Sequence, residues 1–151
     1  MLFTLPPYFE NFGKRLVKSP KLYFYDTGLL CHLLGVRKMD IGPTFSLWGN
    51  IFENMVISDL LKKNEHRIGM REYFFWRDSK GHEIDLMYLE GDAFNIYEIK
   101  ASSNIQSKMF EGMNYFQEIS SKRVKEKILI YGGKETQKRT EYRILPWSEA
   151  Y

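Results

Sequence analysis

Two carboxylates and an ammonium stand where strand geometry can gather them: Asp85 in the segment His82 to Leu89, and Glu98 with Lys100 in the segment Ala93 to Lys100. Side chains on a strand alternate between faces. Glu83, Asp85 and Met87 are therefore expected on one side of the first segment, and Glu98 and Lys100 on one side of the second. Pairing of the two segments through the short turn at Gly91 brings Asp85 close to Glu98. Such a group suits phosphodiester hydrolysis. Hard carboxylate oxygens hold Mg2+, or Mn2+ in its place, near a phosphate, where the ion offsets charge on the phosphoryl oxygens and makes a bound water a better nucleophile. Asp85 and Glu98 are the expected metal ligands. Lys100 is expected to orient or help deprotonate the attacking water and to stabilise negative charge in the transition state. Glu53, on a preceding helix, can reach the same site.

Periodicity indicates the elements that position these groups. A helix is expected from about Leu47 to Lys63, because Ile51 and Met55, and Phe52, Val56 and Leu60, recur at helical spacing. At ~100° per residue the neighbours of Glu53 on that helix are Ile57 and Leu60, so a carboxylate stands among apolar side chains. Asp59 projects near Phe52 and Met55, and helical placement alone does not separate it from Glu53. Strands are expected over Glu72 to Arg77, His82 to Leu89 and Ala93 to Lys100. The turn-forming connections Asp78-Ser79-Lys80-Gly81 and Glu90-Gly91-Asp92 make these an antiparallel meander. Ile105, Met109, Phe110, Met113 and Phe116 then mark an amphipathic helix, with Ser102 or Ser103 as its cap. The charged run from Ser121 to Lys127 reads as a solvated linker into Ile128 to Tyr131, an apolar run typical of a strand covered on both faces. Gly132-Gly133 stops that strand, and Glu141 to Leu145 can add a last one before Pro146 and Trp147. The order is helix, three strands, helix, strand: a mixed sheet between helical layers.

Ahead of this unit, Leu2 to Leu5 and Leu22 to Tyr25 read as two short strands joined by a basic connection around Lys14, Arg15 and Lys18. Asp26 or Thr27 can cap a short helix with an apolar stripe of Leu29, Leu30, Leu33 and Leu34, ended by Gly35 and followed by a loop with Gly42-Pro43. The chain has 151 residues, 44% hydrophobic and 27% charged, which fits a globular fold and argues against both disorder and a fibrous repeat. A net charge of +3 tolerates an anionic partner without requiring one. Cys31 stands alone and is expected to be a small buried hydrophobe, and His32, His66 and His82 are too scattered for a zinc site. No apolar run approaches the roughly 18 residues needed to span a bilayer, and no signal peptide is evident, so no membrane role and a cytoplasmic location are expected. There is no P-loop and hence no ATP site of that kind. Gly13-Lys14-Arg15 lacks the upstream glycine and the Ser/Thr, and Gly132-Gly133-Lys134 precedes Glu135.

Taken together, Gly49-Asn50-Ile51-Phe52-Glu53, Gly81-His82-Glu83-Ile84-Asp85 and Tyr97-Glu98-Ile99-Lys100 resemble the Glu, Asp, Glu-x-Lys series of the PD-(D/E)xK nuclease superfamily. The stretches Leu5 to Tyr8, Lys18 to Lys21 and Tyr23 to Leu29 look like the segment that precedes this module in a large prokaryotic family of predicted AAA-type ATPases, whose C-terminal domain is of unknown function. The resemblance implies a three-layer, restriction-endonuclease-like α/β fold over 47–151. It implies a hairpin over 1–46, the remnant wing of a winged helix, with the short helix and loop. It further implies a catalytic set of Glu53, Asp85, Glu98 and Lys100, with Asp85, Glu98 and Glu53 as ligands of Mg2+ or Mn2+. The partners it implies are nucleic acid, DNA before RNA, and an N-terminal ATPase domain in the full-length protein. The sequence departs from RecB-like nucleases at Glu111, where their Gln-x-x-x-Tyr pattern places glutamine four residues before Tyr115.

Plainer readings stand beside these. Glu53 can be a helix carboxylate reaching solvent or a backbone amide, and Lys100 a strand-end lysine with its stem on the sheet. Trp76 and Arg77 can stack on a base or belong to the core. The loop from Lys14 to Lys21 is a solvated connection or, at a wing tip, a contact to DNA phosphates. A nuclease-like fold without turnover would instead serve as a non-catalytic module through which an ATPase recognises nucleic acid or a protein.

Overall fold

In the computed structural model, residues 1–9, 19–36, 42, 45–66 and 70–150 are described. Lys14, Arg15, Lys18 and Pro43 lie outside them. β1 (Leu2–Leu5) and β2 (Lys21–Phe24) form an antiparallel hairpin with Leu2 opposite Phe24 and Leu5 opposite Lys21. Asp26 caps α1 (Thr27–Leu33), accepting the Leu29 N–H at 2.9 Å, and Gly35 follows with a φ of 66°. α2 (Trp48–Glu65) comes next. The meander is β3 (Phe74–Arg77), β4 (Glu83–Glu90) and β5 (Ala93–Lys100). A 3-10 turn at Ser107–Phe110 leads into α3 (Glu111–Ile119), which crosses to β6 (Arg123–Tyr131). The short β7 (Gln137–Lys138) and β8 (Arg143–Pro146) complete the sheet.

The sheet is mixed, in the order β3-β4-β5-β6-β8-β7. β4 runs antiparallel to both β3 and β5, while β5, β6 and β8 run parallel to one another and β7 antiparallel to β8. Both faces are covered. Phe52, Val56, Ile57 and Leu60 of α2 pack with Leu86, Tyr97, Ile99 and Ile130, and Leu5 and Tyr23 of the hairpin join them. Met113 and Phe116 of α3 pack with Trp76, Phe94, Ile96 and Leu129 on the other side. Burying both faces explains why Ile128-Leu129-Ile130 carries no polar alternation.

Several expectations change. Arg123 to Lys127 is not a linker: it is the first half of β6, paired in parallel with β5 from Ala93 opposite Arg123. The strand tolerates the charge because Arg123, Lys125 and Glu126 remain exposed, while the nearly buried Lys127 directs its ammonium to Asn114 at 3.1 Å and Glu141 at 3.2 Å. The leucines of α1 form no core stripe, since Leu29, Leu33 and Leu34 are exposed, and Cys31 is only partly buried. Ser102 does not cap a helix. Its hydroxyl closes a local turn with the N–H and carbonyl of Asn104.

The alternation expected along β4 also fails at one point. Phe74 pairs with Met87 but Trp76 with Ile84, a register shift that leaves one extra residue in β4. Ile84 and Met87, three apart, consequently share the α3 face, whereas Leu86 and Tyr88 face α2. Glu83, Asp85 and Met87 therefore do not form one continuous row. The irregularity falls at Asp85.

Candidate functional site

β4 and β5 pair from Glu90 opposite Ala93 as far as Leu86 opposite Tyr97 and then separate. Beyond that point β4 follows β3, with Arg77 opposite Glu83, and β5 follows β6, with Lys100 opposite Tyr131. Asp85 stands in the fork. Its Oδ2 accepts the backbone N–H of Ile99 at 2.8 Å, substituting for the carbonyl that the separated ladder would have offered. The other strand is pinned from behind, where the Gly132 N–H donates to the Lys100 carbonyl at 3.0 Å and to the Ser102 carbonyl at 3.1 Å. A Cβ at Gly132 would collide with the Ala101 carbonyl, so the close approach requires glycine.

Glu98 and Lys100 share the α3 face of β5, as strand parity predicts, and Lys100 Nζ contacts Glu98 Oε1 directly. The same ammonium lies 3.9 Å from Asp85 Oδ2. These three residues line a cleft of about 410 Å³ together with Glu83, His82, Lys108 and the first turn of α3. Glu98 is 8% exposed, and its Oε2 has no hydrogen-bond partner.

Glu53 is connected to this group through Lys21. The Lys21 ammonium lies 2.9 Å from Glu53 Oε1, in direct contact with Glu83 Oε1, and 3.9 Å from Asp85 Oδ1. Tyr23, two residues on and on the same side of β2, donates its hydroxyl to Glu53 Oε1 at 2.6 Å. Glu53 lines a neighbouring cleft of about 380 Å³ with Lys21, Tyr23 and Glu83, not the cleft of Asp85, Glu98 and Lys100. Asp59, its rival on the helical projection, pairs with Lys62 at 3.1 Å near the surface and belongs to neither cleft. Neither Lys21 nor Glu83 belongs to the catalytic or metal-binding set expected from sequence. The available signals were the common strand parity of Lys21 and Tyr23 and the place of Glu83 two residues before Asp85.

Electrostatically the cluster is short of positive charge. Glu53, Glu83, Asp85 and Glu98 face Lys21 and Lys100, with Arg77 3.6 Å from Glu83 at the rim. Burial, followed by the charges of Glu98 and Glu53, raises the Asp85 carboxyl well above its ordinary range despite the nearby lysines. Glu98 is also raised, because burial and the charges of Glu83 and Glu53 outweigh the Lys100 contact. Burial works to lower both lysines, but Asp85 and Glu98 hold Lys100 above its ordinary value, and Glu53, Asp85 and Glu83 do the same for Lys21. Lys100 accordingly keeps its proton here, as a positive charge and hydrogen-bond donor. As the side chains stand, no group of three or more His, Cys, Asp or Glu among the described residues is arranged to hold a metal ion.

Fold and site together define a mixed α/β domain with an acidic cluster where two central strands part, neutralised in part by one lysine of its own and one from the preceding hairpin. The chain belongs to the family described as a domain of unknown function, DUF4143, which matches residues 48–150. A second domain of unknown function, DUF8612, matches residues 1–40. Uncharacterized proteins of Mycobacterium bovis and Mycobacterium tuberculosis are each 34% identical over 100 residues, covering 66% of this chain and 22% of the relative. The chain thus spans about a fifth of their length. No solved structure matches it. Among the described residues no helix is long and apolar enough to cross a membrane.

Proposed function

We propose that residues 47–151 are a PD-(D/E)xK nuclease-like domain that hydrolyses phosphodiesters in DNA, or in RNA as the less favoured substrate. The single observation that carries this reading is the convergence of Asp85, Glu98 and Lys100 in one cleft at the fork between β4 and β5. The donor set suits a hard divalent cation: its oxygens belong to carboxyl groups, one buried oxygen of Glu98 has no partner, and the four carboxyl groups outnumber the two lysines seated among them. Asp85 and Glu98 would hold Mg2+ or Mn2+, with Glu53 behind them, and a bound ion would supply charge neutralisation at the phosphate and a more acidic water. Lys100 donates to a phosphoryl oxygen or orients the attacking water, and its ammonium stabilises charge on the phosphoryl group as the phosphorus–oxygen ester bond breaks. Asp85 is held in place by the Ile99 N–H, so the carboxylate does not have to be ordered at the moment of reaction.

In the whole protein this domain would accompany an N-terminal ATPase domain of the AAA type in the cytoplasm. The resemblance of residues 5–29 to the segment preceding such modules supports this setting, and the much greater length of the mycobacterial relatives is consistent with it. A non-catalytic module for nucleic-acid or protein recognition is the second reading, favoured by Glu111 in place of glutamine and by the lysine already seated among the carboxylates.

The test is to incubate the full chain with linear, nicked and single-stranded DNA and with RNA while titrating Mg2+ or Mn2+. Cleavage that requires the ion and disappears in Asp85→Ala is expected. Cleavage that survives Asp85→Ala removes the assignment, and salt-dependent binding without cleavage leaves the second reading.

A further inference from the structure

We propose that Lys21 of the hairpin is an internal competitor for the cation site of the carboxylate cluster, so that seating the hairpin's lysine and loading a divalent ion exclude each other. This inference rests on the metal-dependent reading above and adds to it a residue outside the nuclease-like domain.

The geometry is that of a tethered counterion. One ammonium engages carboxylates from two elements, Glu53 of α2 and Glu83 of β4, and stands 3.9 Å from Asp85. Lys100, by contrast, reaches the cluster from β5 on the side of Glu98. An ammonium satisfies carboxylates by up to three N–H donors and one positive charge, whereas a divalent ion takes the same oxygens directly and brings twice the charge. An ion that drew on Asp85 and Glu53 would meet the Lys21 ammonium on the same two carboxylates, and the two charges repel at that range. The unpartnered Oε2 of Glu98, in a residue 92% buried, independently points to a ligand that Lys21 and Lys100 do not replace.

The tether itself is built to hold. Asn54 of α2 accepts the Phe24 N–H at 2.7 Å and donates to the Phe24 carbonyl and the Thr27 hydroxyl, each at 3.0 Å, clamping the end of β2 three residues from Lys21. Tyr23 adds its hydrogen bond to Glu53. Lys21 is nevertheless partly exposed, with 22% of its side chain accessible, and a flexible four-carbon stem can withdraw the ammonium without unfolding the hairpin. Movement of the hairpin unit relative to α2 would thereby change the cation affinity of a site in the next domain.

The experiment measures Mn2+ binding to the full chain, to Lys21→Met and to Lys21→Arg, by the electron paramagnetic resonance of the free ion. Lys21→Met is expected to bind Mn2+ about tenfold more tightly or better, and Lys21→Arg, which keeps the charge, to stay close to the parent. On the unsubstituted chain, amine labelling read by mass spectrometry is expected to modify Lys21 more readily once Mn2+ is saturating. Equal or weaker binding by Lys21→Met, with the parent binding Mn2+, overturns the competition while leaving the metal reading intact. Unchanged Lys21 labelling under saturating Mn2+ overturns it without any substitution, should Lys21→Met fail to fold. Absence of Mn2+ binding in parent and variants alike removes the metal reading and this inference with it.

Discussion

Asp85 Oδ2 accepts the backbone N–H of Ile99 at 2.8 Å, and this one bond joins two strands at the point where their ladder ends. The carboxylate therefore has a structural task, satisfying a buried amide, as well as its place in the acidic cluster. Substitutions at Asp85 must separate the two. Asp85→Ala leaves the Ile99 amide without its acceptor and is expected to cost about 1–3 kcal/mol. Asp85→Asn keeps an acceptor oxygen and is expected to cost less, and hydrogen exchange at the Ile99 amide, fast in Asp85→Ala and slow in Asp85→Asn, checks the cause.

Asp85 and Asp78 are expected to bias stability in opposite directions with pH. The Asp85 carboxyl is raised by burial and by Glu98 and Glu53, so the folded state holds its proton more tightly than the unfolded chain does. Its contribution is greatest when protonated and declines as pH rises from about 4 through its folded value. For Asp78 burial is opposed by the His82 side chain and the N–H groups of His82 and Lys80, and the net shift is downward. Its contribution is present above about 4 and is lost as pH falls. Denaturant unfolding of Asp85→Asn and Asp78→Asn at pH 7 and pH 3 provides the check. Relative to the parent, Asp78→Asn should lose more stability at pH 7 than at pH 3, and Asp85→Asn more at pH 3 than at pH 7.

The α3 backbone lies against β4 at Gly112, where an added Cβ would stand 2.5 Å from the Glu83 carbonyl oxygen. Gly112 also lines the cleft. Gly112→Ala is expected to destabilise the domain by about 1–3 kcal/mol, despite alanine's better helix propensity, because the helix must move away from the strand. Urea unfolding measures the loss.

Asn54 makes three hydrogen bonds to the segment that carries Lys21. Asn54→Ala is expected to cost about 1–3 kcal/mol and to increase exchange of the Phe24 amide before that of the β5 amides. Amide exchange followed by mass spectrometry distinguishes local release of the hairpin from general unfolding.

The parts of this architecture governed by regular periods were legible in the sequence, and the departures have local causes. The 3.6 period placed α2, and alternation put Glu98 and Lys100 on one face. Along β4 alternation misled, because an extra residue at Asp85 resets the facing of Ile84 against Met87, and no turn residue announces it. The first half of β6 looked like a linker because its side chains are mostly charged, yet its backbone pairs with β5 whatever those side chains do. In α1 a leucine stripe suggested burial, but these leucines remain largely exposed. Lys21 was hidden by distance along the chain. It stands 32 residues from Glu53, and only the packing of the hairpin on α2 brings them together.

The most direct test is the rate of Mg2+-dependent cleavage of a linear DNA by the parent chain and by Lys100→Met, measured beside Mn2+ affinity for both. A cleavage rate about 10²- to 10⁴-fold lower in Lys100→Met, with ion affinity retained, is the outcome expected if Lys100 serves the phosphoryl group at a site formed by Asp85 and Glu98. Equal cleavage by the two chains, or no ion-dependent cleavage by the parent, would contradict it.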